Sequence, residues 1–528
     1  MVSLMPMFAG HGRAAKDLQE DSLSTAPGAL SRVSCWFQLF LALSFVIIPV
    51  WLAPELPTVD GPGHVYNSYL AFQTRAGIEP FSSYYKLRAM PRSNFATDTA
   101  LRFLGPMIGW ERAERVWFTL ITLLCATTWF FTIRQAAGVP LAVATAGWFA
   151  SNWFLWMGFY DFSLSLAVFL VFSNAVHRWG SRGFWRNVVL LLLLLYAAHL
   201  FTFALATALL GFLIGWRVLR KESPPWLLAV CVPFTLLIVL ELALGAGGQG
   251  DISWTSGWHG VLKAAAGWVI GDAFLSFSWS GLAAGLSVMF LVWMGLAHRW
   301  RVRLAEGNWR GIEVFLLISV LGSCAAPDVI GSGSYTSSRW RICAVLLALP
   351  LTAEAFESLR RKRWLPFLSP ILLALLGIQS AAVIRESFAV SAKAEAVQQA
   401  LAAAKPPRGA WVMAMPGTDP RPAFRIPPFM KVLDRAALRL ELNNAQNYEP
   451  AQGNFEVRWR AAPPRLRFEA RSSGFRVTRT DVTNAEFPPV WVLHEADVTL
   501  FSETPELLIG DRVRTGRFAV TKVSFGRR

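Results

Sequence analysis

The stretch PTVDGPGHVYN, residues 57–67, follows the first long apolar run of the chain, residues 36–53. The run is long enough to cross a bilayer as a helix, so Asp60 and His64 are expected just beyond the far membrane surface. The Gly-Pro-Gly between them disfavours a continuing helix and predicts a tight loop. A carboxylate and an imidazole on such a loop can carry out proton chemistry or bind a cation, but an Asp that caps the next helix explains the pattern equally well.

The composition indicates a membrane protein with many spans. Of 528 residues, 54% are hydrophobic and only 16% are charged, and the mean hydropathy is +0.40. A soluble domain carries about 25% charged residues. The formal charge of +16 does not predict nucleic-acid binding, because much of it lies in short segments between apolar runs, where it orients the protein in the membrane. The five cysteines form no CxxC pair, so neither a zinc site nor a disulfide framework is predicted.

Eleven membrane spans are predicted from the apolar runs. They cover residues 36–53, 116–133, 141–157, 162–176, two short helices within 187–219, 226–244, 282–297, 314–326, 342–356 and 365–383. The run 187–219 is too long for one upright span, so a turn near His199 is expected, although one long tilted helix also fits. With the N-terminus in the cytoplasm, four segments rich in Arg or Lys all fall on the cytoplasmic side. These segments are residues 177–186, 217–222, 299–310 and 360–363.

Three regions follow from this topology. Residues 1–33 are expected to be a disordered cytoplasmic tail, residues 34–385 the transmembrane domain, and residues 386–528 a small periplasmic α/β domain. The outer loops of the transmembrane domain are residues 54–111, 245–280 and 327–341.

Local patterns predict elements within two of these regions. The first outer loop is expected to hold amphipathic helices at residues 64–77 and 95–108, with apolar side chains lying along the membrane surface. Those side chains are Tyr66, Tyr69, Leu70 and Phe72. The C-terminal region is expected to open with a helix at 387–404 and to contain strands at 411–415, 489–494 and 517–523.

The predicted topology collects ionisable side chains on the outer side of the membrane. They are Asp60, His64, Asp98, Asp161, His199, Asp251, His259, Asp272, Asp328, Arg339 and Arg341. Because a charge in lipid is costly, such groups usually face a cavity or one another. Together they can line a wet cleft that suits a substrate with a lipid tail and an anionic phosphate.

Each of the main candidates has a chemical role that suits its type. Asp60 can take a proton from an attacking hydroxyl group. Arg339 or Arg341 can clamp a phosphate, because the guanidinium fork matches phosphate geometry. His64 and His199 can assist the base or contact the phosphate.

Plainer roles remain open for several of these residues. Asp98 and Asp161 each suit a helix N-terminus, where a carboxylate is stabilised by the helix dipole or caps the first turn. His64 can simply satisfy a backbone carbonyl, and Arg341 can be an interfacial anchor whose charged end reaches water.

Three motifs resemble those of the GT-C superfamily of integral-membrane glycosyltransferases, over roughly residues 35–385. They are DGPGH at 60–64, GFYDFSL at 158–164 and SRW at 338–340. The resemblance implies a polyprenyl-phosphate-linked sugar donor and inverting transfer of a hexose or pentose on the outer face. The acceptor would be a glycan, a lipid or a protein, and this protein itself would lie in a bacterial inner membrane. The first-loop carboxylate, here Asp60, would be the base.

The chain departs from the family pattern at one point. Many members carry paired acidic residues in the first outer loop, whereas Asp60 stands alone here, so Asp98 or Asp161 would have to supply the second carboxylate. Arg339 is our candidate for the donor phosphate, with Arg341 and His199 beside it. Asp and His side chains on loops are compatible with a divalent cation, Mg or Mn, although no ligand spacing demands one.

Two other functions fit a polytopic envelope protein. A transporter or lipid flippase usually shows internal repeats and ionisable groups near mid-membrane, for which Glu241 and Glu354 are the best candidates, near the ends of their spans. A noncatalytic scaffold of envelope assembly would use the C-terminal domain for binding. The expected partners in the leading hypothesis are the lipid-linked donor and membrane lipids, with no nucleic acid.

Overall fold

A computed structural model describes residues 29–525, apart from several gaps. The gaps are residues 89–92, 246–252, 255–257, 308, 331–332, 361–364, 416–430, 448–456, 461–462, 464–465, 472–473, 480–487 and 504–506. Most of the described chain is helical, and most strands lie after residue 404. The prediction of a mostly α protein with a C-terminal α/β region is confirmed.

The elements are numbered in chain order. The longer helices are α1 (Ala29–Leu52), α2 (Gly61–Arg75), α3 (Ala96–Ile108), α4 (Trp110–Ala137), α5 (Val139–Ala150), α6 (Tyr160–His177), α7 (Phe184–Ala198), α8 (Leu200–Leu219), α9 (Val232–Gly245), α10 (Trp258–Ile270), α11 (Ser280–Glu306), α12 (Gly311–Ala325), α13 (Thr336–Arg360), α14 (Leu365–Ala404) and α15 (Val432–Arg439). Short helical turns occupy Phe81–Tyr84, Trp153–Trp156, Pro225–Cys231 and Asp272–Phe274. The strands are β1 (Tyr85–Leu87), β2 (Val329–Ile330), β3 (Gly333–Ser334), β4 (Trp411–Ala414), β5 (Asn443–Asn444), β6 (Val457–Trp459), β7 (Leu466–Arg471), β8 (Gly474–Arg479), β9 (Val490–Glu495), β10 (Leu500–Phe501), β11 (Leu507–Thr515) and β12 (Phe518–Phe525).

Within the described residues, six helices are long and apolar enough to cross a membrane. They cover Trp110–Arg134, Tyr160–His177, Leu200–Leu219, Pro225–Ala243, Ser280–Glu306 and Phe367–Ala404. Shorter apolar helices lie at Phe37–Leu52, Phe184–Ala198 and Gly311–Ala325. These positions agree with nine of the predicted spans. Residues 1–28 of the predicted tail lie outside the described residues, and α1 begins before its predicted boundary at 33.

The predicted turn within 187–219 is confirmed. Helix α7 ends at Ala198 and α8 begins at Leu200, with His199 in extended backbone between them. The Nδ1 atom of His199 accepts a hydrogen bond from the backbone N–H of Phe201 at 3.2 Å, which caps the new helix. Two helices, and not one long tilted helix, therefore occupy this run.

The predicted span 141–157 is broken in the structure. Helix α5 ends at Ala150, and Asn152 caps a separate helical turn by accepting a hydrogen bond from the backbone N–H of Leu155 at 3.1 Å. An Asn side chain competes well for backbone donors, and this favours a new helix start over a continuing helix. The break redirects the chain just before the GFYDFSL motif.

Helix α14 joins two elements that the sequence analysis separates. The predicted span 365–383 and the predicted helix 387–404 form one helix of 40 residues, Leu365–Ala404. It is about 60 Å long at 1.5 Å per residue. No Gly or Pro lies between residues 378 and 405, so nothing in the sequence stops the helix at the predicted domain boundary of 385. The C-terminal region is thus joined to the membrane helices by continuous helix.

The C-terminal region is built on a mixed five-stranded sheet. The strand order is β11-β12-β9-β4-β5, with β4 parallel to both of its neighbours and the other pairs antiparallel. Strands β4, β9 and β12 match the predictions at 411–415, 489–494 and 517–523, which are confirmed. Their apolar side chains alternate between the two faces of the sheet and fill two cores.

The first outer loop packs against this C-terminal region. Strand β1 pairs with β6, with Tyr85 opposite Trp459. The predicted surface side chains of α2 are mostly buried: Tyr66 and Leu70 are fully inaccessible, and Tyr66 donates a hydrogen bond to the backbone oxygen of Leu442 at 2.8 Å. The prediction that Tyr66, Tyr69 and Leu70 lie along the membrane was wrong, because the C-terminal core covers that face of α2.

Phe72 differs from these neighbours on α2. Its side chain is 36% exposed, so it alone of the four predicted surface residues presents a sizeable apolar area to the outside. The two helices predicted in this loop are otherwise confirmed, as α2 and α3.

Candidate active site

Asp60 stands immediately before helix α2. Gly61, Pro62 and Gly63 form the first turn of that helix, so the predicted tight loop at this position was wrong. Proline is well tolerated in a first turn, because its missing N–H group would have no partner in the helix there. Asp60 occupies the N-cap position, but its side chain makes no capping hydrogen bond. Its carboxylate is therefore directed to other groups.

The GFYDFSL motif holds the backbone of Asp60 in place. The N–H of Asp60 donates to the carbonyl of Met157 at 2.9 Å. Gly158 has φ +80°, and a Cβ atom added to it would lie 2.3 Å from the nitrogen of Gly61 and 2.7 Å from that of Asp60. Only a glycine allows the two chain segments to approach this closely.

Gly158→Ala is expected to lower the melting temperature of the purified protein in detergent by several degrees. The methyl group would push against the peptide that carries Asp60, and such overpacking costs about 1–3 kcal/mol beyond the backbone penalty at positive φ. Gly180→Ala is the matched control, since Gly180 has φ +79° and no described atom within 4 Å of an added Cβ. Equal losses of thermal stability in the two variants would contradict the close approach.

Three acidic side chains surround His64. The Nδ1 atom of His64 lies 3.1 Å from Oδ1 of Asp98, in the first turn of α3. Asp161, in the first turn of α6, accepts a hydrogen bond from the backbone N–H of Thr97 at 2.8 Å. Burial lowers the pKa of His64, but the hydrogen bond to Asp98 and the charges of Asp98, Asp161 and Asp60 outweigh it, so the pKa is raised. His64 thus tends to carry a positive charge beside Asp60.

Arg339 is the candidate phosphate-binding cation of this site. Helix α13 begins at Thr336, so Arg339 lies on a helix and not on the predicted outer loop 327–341. Its Nη1 atom is 3.3 Å from Nε2 of His199, and its guanidinium lies 4.9 Å from the ring centre of Phe159 and 5.1 Å from that of Phe162. Its buried Nε atom has no hydrogen-bond partner among the described residues.

Asp60 interacts electrostatically with groups on both sides of it. Its negative charge acts on the His64 ring and on the Arg339 guanidinium. The structure therefore brings together six of the predicted residues at one end of the bundle. They are Asp60, His64, Asp98, Asp161, His199 and Arg339.

Arg341 belongs to a separate cluster. Its Nη2 atom donates to Oδ2 of Asp272 at 2.6 Å and to Oγ of Ser338 at 2.7 Å, and its side chain is almost fully buried. Asp328 similarly accepts a hydrogen bond from Ser337. Arg341 already has a carboxylate partner, whereas Arg339 pairs with a neutral or weakly basic ring.

The remaining predicted residues lie elsewhere. His259 is exposed on α10, a helix that the sequence analysis did not predict, and Asp251 lies outside the described residues. Glu241 accepts hydrogen bonds from the hydroxyl of Tyr196 at 2.8 Å and the backbone N–H of Ser93 at 3.0 Å, so it ties α9 to the first outer loop. The side chain of Glu354 is not described.

Two solved structures are similar to this chain. Both are crystal structures of ArnT from Cupriavidus metallidurans, one in the apo state with a TM-score of 0.48 and one bound to undecaprenyl phosphate with a TM-score of 0.46. Each comparison has 11% sequence identity and covers 94% of this chain and 98% of the other chain. The sequence matches no protein-family model, and the curated proteins contain no match to it.

The sequence analysis missed a residue that contacts Asp60 from the C-terminal region. The Nζ atom of Lys431 lies 3.5 Å from Oδ1 of Asp60. Four residues later, on α15, Arg435 lies 3.3 Å from Glu55 and from Glu114. These contacts join distant parts of the chain, and the local sequence around Lys431, the N-cap residue of α15, shows only basic residues spaced by four.

A metal site remains a prediction. Within the described ranges, no group of three or more His, Cys, Asp or Glu side chains is arranged to hold a metal ion. Asp60, Asp98 and Asp161 are the carboxylates that a divalent cation such as Mg or Mn could use if it bound together with a phosphate-bearing substrate.

Proposed function

We propose that the protein is a membrane glycosyltransferase that takes a sugar from a polyprenyl-phosphate carrier and transfers it to an acceptor on the outer face. One observation carries the proposal: a single segment, residues 157–162, contacts both the backbone of Asp60 and the guanidinium of Arg339, which are far apart in the chain. Such a pair supplies what an inverting transfer needs, a base for the acceptor and a cation for the leaving phosphate. Undecaprenyl phosphate, the ligand in one of the similar structures, is the carrier that we name first.

In the proposed reaction, Asp60 takes the proton of an acceptor hydroxyl group. The acceptor oxygen then forms a bond to the anomeric carbon from the side opposite the phosphate. The bond between that carbon and the phosphate oxygen breaks, and the polyprenyl phosphate leaves with the electron pair. Attack from the opposite side inverts the configuration of the sugar.

In this proposal Arg339 stabilises the leaving group. The rings of Phe159 and Phe162 lie against its guanidinium, with the His199 ring beside it, so the side chain is packed in position before a ligand binds. A cation held in advance in a low-dielectric site stabilises developing negative charge more strongly than one in water. The partnerless Nε and the rest of the fork can donate hydrogen bonds to phosphate oxygens.

Asp98 is the better candidate for the second carboxylate. Asp98 contacts His64, and His64 lies one helical turn after Asp60. Asp98 therefore fixes the His64 ring next to the base. Asp161 accepts the backbone N–H of Thr97 in the first turn of α3. It therefore supports the start of a neighbouring helix, whereas the sequence analysis left open a cap on its own helix, α6.

The direct test is transfer from a panel of radiolabelled undecaprenyl-phosphate hexoses and pentoses by the purified protein. We expect at least one donor to lose its sugar and to release undecaprenyl phosphate, with the product in inverted configuration. If every lipid-linked sugar stays intact but the protein moves one across a vesicle bilayer, the flippase hypothesis replaces this proposal.

Sidedness is tested by alkaline phosphatase fusions, which are active only outside the cytoplasm. A fusion after Ala404, where α14 ends, is expected to be active, and one at Arg182 inactive, because basic short segments stay in the cytoplasm. If the Arg182 fusion is active and the Ala404 fusion is inactive, the Asp60 site lies on the cytoplasmic side and the proposed outer cleft does not exist.

A further inference from the structure

We propose that the C-terminal region completes the active site: Lys431 is a positioning residue that holds the Asp60 carboxylate for proton transfer. This inference rests on the proposed function. Its basis is the ion pair between Nζ of Lys431 and Oδ1 of Asp60, which are 3.5 Å apart. The lysine side chain is only 7% exposed, and that of Asp60 is 25% exposed, so solvent screens the pair weakly.

Two cations on α15 fix the helix that directly follows Lys431. Arg435 and Arg439 are four residues apart and therefore project from the same face of α15, and Lys431 is the N-cap residue of that helix. Arg439 lies 2.6 Å from Glu111 and also contacts Glu55. Glu55 lies in the segment after α1, and Glu111 lies in the first turn of α4. These ion pairs therefore fix α15 against the membrane region.

A second set of contacts leads from the same helix to the segment that carries Asp60. Glu114, the partner of Arg435, accepts hydrogen bonds from Thr58 at 3.2 Å and from the hydroxyl of Tyr160 at 2.7 Å. Thr58 lies two residues before Asp60, and Tyr160 belongs to the GFYDFSL motif. Helix α15 is thus fixed against both chain segments that position the base.

The pairing also has a chemical consequence. Lys431 lies 3.5 Å from one oxygen of the carboxylate, Oδ1, and in this proposal the other oxygen, Oδ2, accepts the proton of the acceptor. A carboxylate that rotates freely about its last bond presents the wrong lone pair for much of the time, whereas a base held in one orientation is ready to react.

The test compares full-length purified Lys431→Met and Lys431→Arg with the wild type, using a donor that the wild type consumes. We expect kcat of Lys431→Met to fall roughly 10- to 100-fold with KM for the donor nearly unchanged, and Lys431→Arg to recover most of the loss. Arg408→Met is the control, because Arg408 pairs with Glu441 on the exposed surface of the same region. Wild-type kcat in Lys431→Met, or a raised KM alone, would overturn the positioning role.

A stability measurement separates this inference from the proposed function. The melting temperatures of Asp60→Asn, Lys431→Met and the double variant are expected to show less than additive losses, since both single changes break one ion pair. Additive losses would show that the contact is absent. Non-additive losses in a protein that transfers no sugar would overturn the proposed function and the positioning role with it, but keep the contact. If Lys431→Met does not fold, Lys431→Gln takes its place in both measurements.

Discussion

Asp60→Asn is expected to lower the rate of sugar transfer by roughly 10²- to 10⁴-fold, the range over which a positioned general base contributes to catalysis. The asparagine keeps the size of the side chain and the N-cap position before α2, but it cannot take the proton of the acceptor. Since the Asp60 side chain makes no capping hydrogen bond, the start of the helix should not depend on its charge. The loss should therefore appear in kcat, with donor binding nearly unchanged.

The measurement is the initial rate of label transfer by protein that has passed a size-exclusion and melting-temperature check. Asp328→Asn serves as the matched control, because Asp328 is a carboxylate outside the six clustered residues and its described contacts include Ser337 and Lys263. Asp60→Glu should give an intermediate rate, since it keeps a base in a shifted position. Wild-type activity in Asp60→Asn would show that another group takes the proton.

The features that the sequence could predict are those with a local cause. Long apolar runs identify helices whatever their partners are, and so nine of the spans and the turn at His199 were found. Short runs of apolar, β-branched and aromatic residues similarly identified β4, β9 and β12. The motif around Asp60 was recognised, but Gly-Pro-Gly was interpreted as a loop although the same residues suit a first helical turn.

Features with a tertiary cause could not be predicted in this way. Arg299 and Arg303 belong to the basic segments used for orientation, yet both are buried and share the carboxylate of Glu313, at 2.8 and 2.9 Å. Hydropathy counts these charges but does not show their partners. Lys431 could not be predicted for the same reason. Its contact with Asp60 depends on how the C-terminal sheet and α15 pack against the segment that carries Asp60.

The choice between Arg339 and Arg341 shows how structure refines a sequence hypothesis. The residues are two positions apart on α13, and the sequence gives both the same chemistry. In the structure Arg341 is buried against Asp272 at 2.6 Å, whereas Arg339 faces His199 and the charge of Asp60. A phosphate at Arg341 would compete with a carboxylate that the guanidinium already binds, whereas the guanidinium of Arg339 lies against two aromatic rings and a histidine.

Arg339→Gln is accordingly expected to lower kcat by roughly 10²- to 10³-fold, the loss typical of removing one donor that stabilises developing charge. Arg339→Lys should recover only part of the rate, because an ammonium keeps the charge but cannot form the fork or lie flat between Phe159 and Phe162. Both rates are measured with saturating donor, so that weaker binding does not conceal the effect on the chemical step.

Arg341→Gln is the matched comparison. We expect it to lower the stability of the protein and to leave the rate of sugar transfer nearly unchanged. It breaks the buried ion pair between Arg341 and Asp272, and breaking a buried pair costs about 3–5 kcal/mol in typical cases. It should therefore lower the melting temperature far more than Arg339→Gln does. Its kcat, measured below the unfolding range, should remain within a few-fold of the wild type. The reverse pattern, a catalytic loss at Arg341 and a stability loss at Arg339, would assign the donor phosphate to Arg341, because the residue that stabilises a leaving group must affect the rate more than the fold.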